Sequence, residues 1–131
     1  MLRRRTDPLG REVALTLAGG RVALGVGALF ATQPTLGVLG FAETDGTGRA
    51  LAKLAGGRDL ALGLFTLALR DDRAPLRGAV LTAALLDGAD AIAFGLAARD
   101  PAARRAGLGG VASGGLAAIA GLWAWRRLGN S

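Results

Sequence analysis

Four long apolar segments dominate this sequence, and their length restricts the fold more than any other feature. They cover about residues 11–32, 49–69, 76–98 and 105–125. A helix of roughly 20 apolar residues crosses the hydrocarbon core of a bilayer. Proline or clustered charge, either of which stops a span, follows the segments at Gln33-Pro34, Arg70–Arg73, Arg99–Pro101 and Arg126-Arg127. The pattern predicts an all-α protein, with residues 1–131 forming one integral membrane domain that is a four-helix transmembrane bundle.

The beginning of the bundle allows two frames. Residues 35–42 are apolar but too short to span, so they form either an interfacial helix or an extension of the first span after a kink. A later frame would place the first span at residues 22–42. The earlier frame is favoured because Pro34 would lie deep inside the later one, where proline removes a helical hydrogen bond.

A signal peptide is the competing interpretation of the N-terminus, since Arg3, Arg4 and Arg5 precede the first apolar segment. Asp7 and Arg21 are unusual in such a peptide. The apolar segment is also longer than the 7–15 residues typical of a signal peptide. The sequence therefore favours a span that is retained.

Basic residues in the loops and near the ends of the spans predict the orientation, because the cytoplasmic side of a membrane protein accumulates lysine and arginine. One side of the membrane receives nine of them: Arg3, Arg4, Arg5, Arg11, Arg70, Arg73, Arg77, Arg126 and Arg127. The other side receives five: Arg49, Lys53, Arg99, Arg104 and Arg105. The difference predicts a protein of the cell membrane with both termini in the cytoplasm.

The residue types that are missing exclude several classes of function. Without cysteine and histidine, the chain has no disulfide, thiol nucleophile, imidazole base or histidine-ligated metal. The net charge of +6 would suggest nucleic acid in a soluble chain, but the phenylalanines and tryptophans lie inside apolar runs instead of among basic residues. No phosphate-binding loop is recognisable. We expect no cofactor, no metal and no nucleic-acid partner, and the sequence leans against an enzyme.

Five ionisable residues lie inside the spans: Arg21, Arg58, Asp59, Asp87 and Asp90. Helices of similar length share a midplane, and Arg21, Asp59 and Asp87 are central in their segments. A central Arg or Asp costs about 2.5–3.5 kcal/mol, and Leu or Phe returns about 0.3–0.6. The seven leucines and one phenylalanine of the second span return about 4 kcal/mol against about 5–7 for Arg58 and Asp59. We therefore expect these charges to meet in an intramembrane polar cluster.

Helical geometry restricts the pairing within this cluster. Arg58 and Asp59 are about 100° apart on one helix, so each needs a partner from another helix. Asp87 and Asp90 share a face, where Arg58 or Arg21 would reach between both carboxylates. Two positive and three negative groups leave one carboxylate either protonated or paired with something outside this set.

Small residues predict where helices approach closely. Gly110, Gly114 and Ala118 form a face of the GxxxG kind on the fourth span, which serves packing within the bundle or dimerisation. Glycines beside the central charges predict further close approaches, at Gly56, Gly57 and Gly88. At the end of the fourth span, Trp123 and Trp125 beside paired arginines predict an interfacial anchor.

Two functions are compatible with the polar cluster. The favoured one is structural: the cluster is a clasp that fixes the register of the helices in a structural or accessory membrane protein. The expected partner of such a protein is the lipid bilayer. The alternative is a small proton- or ion-coupled transporter or channel that uses Asp87 and Asp90, because intramembrane carboxylates commonly mark such sites. Four short helices leave little room for a pathway, so the second hypothesis favours a homodimer.

The sequence also resembles a known family. The run Gly56-Gly57-Arg58-Asp59-Leu60-Ala61-Leu62-Gly63-Leu64, followed by Leu86-Asp87-Gly88-Ala89-Asp90-Ala91, is similar to an uncharacterised family of small four-span membrane proteins common in high-GC actinobacteria. The opening run of residues 20–27 and the proline after it fit as well, and the resemblance extends over about residues 13–127. A more distant likeness connects the chain with DoxX-type four-span proteins. The resemblance implies a four-helix membrane bundle and no particular activity.

Overall fold

The structure is a computed structural model that describes residues 8–130. This part of the chain contains no strand and five α-helices, which are α1 (Pro8–Phe30), α2 (Thr32–Val38), α3 (Gly46–Ala68), α4 (Arg73–Ala97) and α5 (Arg104–Asn130). The all-α prediction is confirmed. The four long helices correspond to the four apolar segments, and each begins one to three residues before its predicted start. The predictions that involve Arg3, Arg4, Arg5 and Asp7 lie outside the described residues.

Among the described residues, three helices are long and apolar enough to cross a membrane: α1, α4 and α5. This finding supports a membrane protein. Helix α3 has the same length as α1, 23 residues, but it carries Lys53, Arg58 and Asp59 within two turns. Helix α4 carries Asp87 and Asp90 but is still apolar enough to span, whereas α3 is not among the three.

The chain leaves α1 at Ala31, whose backbone is not helical (φ −134°, ψ 56°). The break therefore falls before Gln33-Pro34 and not at that pair. Pro34 occupies the first turn of the short helix α2, where its missing N–H needs no helical partner. The break bends the chain back, and the Gln33 amide oxygen accepts hydrogen bonds from the Thr44 backbone N–H (3.4 Å) and hydroxyl (3.2 Å).

The long helices pack as two closely joined pairs. Helix α3 packs extensively on α1, and α4 packs extensively on α5. Contacts between α1 and α5 join the pairs, whereas α3 and α4 touch at few positions. Glycine allows the α1–α3 approach: an ideal Cβ at Gly25 would lie 2.6 Å from the Gly56 carbonyl oxygen, and one at Gly63 would lie 2.7 Å from the Ala18 carbonyl oxygen.

The start of α1, the end of α5 and the α3–α4 turn lie at the same end of the bundle. Arg11, near the start of α1, donates a hydrogen bond from Nε to the Arg70 carbonyl (3.0 Å) and lies 3.4 Å from the Asp71 carboxylate. Arg73 and Arg77, in the first turns of α4, donate to the Leu128 and Trp125 carbonyls of α5. The Arg73 contact supplies a partner for the Leu128 carbonyl, which is one of the last four of α5 and has no helical donor.

Several basic residues that the sequence places in loops lie instead on helices. Lys53 lies about two turns into α3. The others lie in the first two or the last two turns of their helices: Arg11, Arg49, Arg77, Arg104, Arg105, Arg126 and Arg127. Long basic side chains reach water from the end of a span, so the helices extend beyond the apolar segments without burying charge. Large apolar side chains cover the outside of the bundle, as the exposed fractions of Leu116 (69%), Ile119 (68%) and Ile92 (68%) show.

Candidate functional site

The inner part of the site is an arginine held between two aspartates. Arg21 of α1 donates from Nη1 to Asp59 of α3 at 2.9 Å, and its Nη2 pairs with Asp87 of α4. The same Nη2 donates to the Ala83 carbonyl at 3.1 Å. The Arg21 side chain is only 9% exposed, against 21% for Asp59 and 14% for Asp87. One guanidinium therefore connects three helices inside the bundle.

The outer part of the site is a two-point ion pair between α3 and α4. Arg58 donates from Nη1 to Asp90 Oδ1 at 3.1 Å and from Nη2 to Asp90 Oδ2 at 2.5 Å. Arg58 Nη2 also lies 3.5 Å from Asp59 Oδ1, so Asp59 joins the outer pair to Arg21. The outer pair is less enclosed, because the Arg58 side chain is 36% exposed and that of Asp90 is 33% exposed.

Glycine spacing explains why these side chains meet. Gly25 lies four residues after Arg21, and Gly56 lies three residues before Asp59, so each glycine shares a helix face with its charged neighbour. The two glycines bring the backbones of α1 and α3 into contact. Arg21 Nη1 therefore reaches Asp59 of α3, while Nη2 of the same guanidinium extends to Asp87 of α4.

The structure brings all five predicted charges together, but in a different arrangement from the one expected. Within residues 8–130, no arginine bridges Asp87 and Asp90. Arg58 pairs with Asp90, and Arg21 is shared by Asp59 and Asp87. Asp87 and Asp90 are three residues apart and therefore point about 60° away from each other around α4. That rotation directs Asp87 towards α1 and Asp90 towards α3.

The cluster contains two guanidinium groups and three carboxylates. Among the buried side-chain nitrogen and oxygen atoms of the described residues, Arg58 Nε is without a hydrogen-bond partner. A cavity of about 20 Å³ borders Arg21 and Asp87 and is otherwise lined mainly by alanines and by Thr66. This volume accommodates about one water molecule. Thr66 was not singled out from the sequence, because a threonine in a leucine-rich run gives no signal of its own.

A larger groove lies on the outside of the bundle between α3 and α4. It has a volume of about 340 Å³. Its lining is almost entirely apolar: Leu62, Phe65, Leu69, Pro75, Gly78, Ala79 and Thr82. The groove follows from the sparse contact between these two helices, and no sequence pattern indicates that this particular pair is separated.

The predicted packing residues of α5 lie against α4. An ideal Cβ at Gly110 would lie 2.2 Å from the Phe94 ring, and one at Gly114 would lie 3.0 Å from the Asp87 carbonyl oxygen; Ala118 is half-buried. The predicted close approaches at Gly57 and Gly88 are wrong, since nothing lies within 4 Å of a Cβ at either position. Close approaches that the sequence did not single out occur at Gly10, Gly25, Gly63, Gly107 and Gly121.

The two tryptophans lie at the end of the bundle where α1 begins and α5 ends. The Arg77 guanidinium carbon lies 4.5 Å from the centre of the Trp125 ring, and that of Arg127 lies 5.1 Å from the centre of the Trp123 ring. Trp123 is 38% exposed. Each indole therefore has a cation over its face, in the way that favours a cation–π contact.

No group of three or more histidine, cysteine, aspartate or glutamate side chains within residues 8–130 is arranged to hold a metal ion. Comparisons of the chain with protein-family models, with curated proteins and with solved structures find no match. The charged cluster itself is therefore the basis for any conclusion about function.

Proposed function

We propose that the chain is a small integral membrane protein of four spans, in which the Arg/Asp cluster is a structural clasp that holds α3 to α4. Helices α1, α4 and α5 are long and apolar enough to span. Helix α3 is the fourth span, and it enters the bilayer because its charges are paired with the other helices. Both termini lie in the cytoplasm.

One observation carries the proposal: charge, more than side-chain packing, connects α3 with α4. These helices touch at few positions, yet the two-point pair of Arg58 with Asp90 joins them directly. The chain of contacts from Asp59 through Arg21 to Asp87 joins them again through α1. Without these two connections, little would hold the α3–α4 seam closed.

Pairing also explains how α3 tolerates the membrane. An unpaired Arg or Asp at the centre of a span costs about 2.5–3.5 kcal/mol. Both central charges of α3 have opposite charges within 3.5 Å on other helices or on α3 itself. In a medium of low dielectric constant this attraction offsets much of the cost. Helix α3 is thus expected to depend on its neighbours for insertion.

Reporter fusions at the two termini test the number of spans. Four spans place both termini on the same side of the membrane, whereas three spans without α3 place them on opposite sides. We expect a reporter that is active only in the cytoplasm to be active at either end. Activity at one end alone would contradict the four-span arrangement.

The clasp is tested by Asp90→Asn, which removes one charge of the outer pair at nearly constant volume. We expect lower stability of the purified protein in detergent and no change in ion flux. Asp71→Asn is the matched control, because Asp71 is 79% exposed and pairs with arginines at the surface. Equal stability of both variants would contradict the clasp.

The same samples address the transport hypothesis. The cavity beside Arg21 and Asp87 has room for about one water molecule, so the geometry favours the clasp. A proton flux into liposomes that Asp87→Asn or Asp90→Asn removes, in variants that remain folded, would favour transport instead.

A further inference from the structure

The outer side of the α3–α4 seam differs from the rest of the bundle's surface. We define the seam face as Leu51, Leu54, Arg58 and Phe65 of α3 with Thr82 and Asp90 of α4. The α3 members recur at helical spacing and therefore share one side of that helix. Leu51, Leu54 and Phe65 are 61%, 71% and 58% exposed. An ion pair that is one-third exposed lies in the middle of this face.

In a membrane this exposure is unfavourable. Arg58 lies 12 residues from the start of α3 and 10 from its end, which is about 15–18 Å from either end at 1.5 Å per residue. Its side chain would therefore face hydrocarbon, where no water completes its hydrogen bonds. The outer side of α5, by comparison, presents side chains such as Leu116 and Ile119, which lipid accommodates.

The seam face also leaves space unfilled. The groove of about 340 Å³ between α3 and α4 begins beside Phe65 and Thr82. That volume is at the lower end of the range in which proteins bind other molecules, about 300–1,000 Å³. An acyl chain would fill it but would offer no polar atom to Arg58 or Asp90.

A second copy of the chain meets both requirements. Each copy presents one positive and one negative group at nearly the same place on this face, and a two-fold axis brings Arg58 of one copy near Asp90 of the other. Because both copies have the same orientation, this axis lies along the membrane normal and joins groups of equal depth. Phe65 of one copy then lies beside the groove of the other, and Leu51 and Leu54 of the two copies face each other. A surface with both signs of charge is complementary to itself in this way.

We propose that the protein forms a homodimer in the membrane through the seam face, with the Arg58–Asp90 pair of each copy covered by the other copy. The proposal rests on the four-span arrangement proposed above. It makes the cluster a junction between subunits as well as between helices.

Disulfide trapping tests the interface directly, since the chain contains no cysteine of its own. Thr82→Cys and Phe65→Cys lie on the seam face. Ser113→Cys is the matched control, because Thr82 and Ser113 are both exposed hydroxyl residues bonded to a carbonyl of their own helix. Ile119→Cys is a second control on α5. In dilute proteoliposomes under mild oxidation, we expect cross-linked dimers at least tenfold more abundant for the seam-face variants than for the controls.

A second measurement does not depend on cysteine geometry. Thr82→Trp places a bulky side chain on the seam face, and Ser113→Trp does the same on α5. Subunit counting by single-molecule photobleaching should show dimers for the wild type and Ser113→Trp, and mostly monomers for Thr82→Trp. Wild-type monomers, or cross-links that favour α5, would overturn the proposal; monomers would mean that lipid covers the seam face.

The outcomes for the dimer and the clasp are separable. The clasp is measured as the stability of the detergent-solubilised monomer after Asp90→Asn, and the dimer as cross-linking of variants in which the clasp is intact. Monomers combined with a destabilising Asp90→Asn would remove the dimer and keep the clasp. Dimers combined with a neutral Asp90→Asn would do the reverse.

Discussion

The most demanding prediction concerns Arg21, the central cation of the cluster. In Arg21→Gln the cluster retains one arginine and three aspartates. Asp87 loses its only ion-pair partner among the described residues, and Asp59 keeps Arg58 at 3.5 Å. Removing one partner of a buried ion pair costs about 3–5 kcal/mol, because the remaining charge stays buried. The Arg21 side chain is 9% exposed, so we expect the loss of stability to lie in this range.

Reversible unfolding in mixed micelles, followed by tryptophan fluorescence, measures this loss. Arg58→Gln should cost less, about 1–2 kcal/mol, because its side chain is 36% exposed and partly screened in detergent. The exposed Arg99→Gln is the control, and its effect should stay within about 0.5 kcal/mol. The double variant Arg21→Gln/Asp87→Asn should recover about 0.5–3 kcal/mol of the loss. If Arg21→Gln and Arg99→Gln unfold at the same denaturant fraction, the cluster does not hold the bundle together.

Three further variants test the packing around the cluster. Gly56→Ala should lower stability by about 1–3 kcal/mol, since its Cβ would lie 2.5 Å from the Ala28 Cβ. Gly57→Ala has open space and should raise stability by about 0.5–1 kcal/mol. The two variants are compared by thermal unfolding in detergent, and effects of the same sign would place the α1–α3 contact elsewhere. Asp45→Ala removes the side chain that caps α3 through the Gly48 N–H at 2.7 Å and should cost about 0.5–2 kcal/mol in the same assay. No change would show that the first turn of α3 contributes little to stability.

Position along each helix was accessible from the sequence, but rotation about each helix was not. A residue's depth follows from counting at 1.5 Å per residue, and this count places Arg21, Asp59 and Asp87 at the centres of their segments. Which arginine pairs with which aspartate depends on the rotation of each helix about its own axis. That rotation is determined by contacts such as the one between Gly25 and Gly56, and in a chain with 22 glycines no pattern distinguishes the glycines at contacts from the others.

The helix break after α1 is a second feature that the sequence predicts only approximately. Proline suggested a break at Gln33-Pro34, yet the non-helical residue is Ala31. A proline at the third position of a helix is compatible with helical geometry, so it marks the start of the next helix instead of the end of the previous one. The proline correctly predicts that the helix is interrupted, but the predicted position is two or three residues after the observed one.

In a membrane bundle rich in alanine and glycine, ion pairs connect two helices where close packing is absent. Apolar side chains gain little from leaving lipid for another apolar surface, so helix association depends on close packing and polar contacts. Helices α1 and α3, and likewise α4 and α5, obtain close packing through glycine. The α3–α4 seam lacks that packing, and among the described residues the largest fully buried side chains are only Leu76 and Leu128. Ion pairs have a longer range than packing contacts, and they connect two helices that small side chains leave apart.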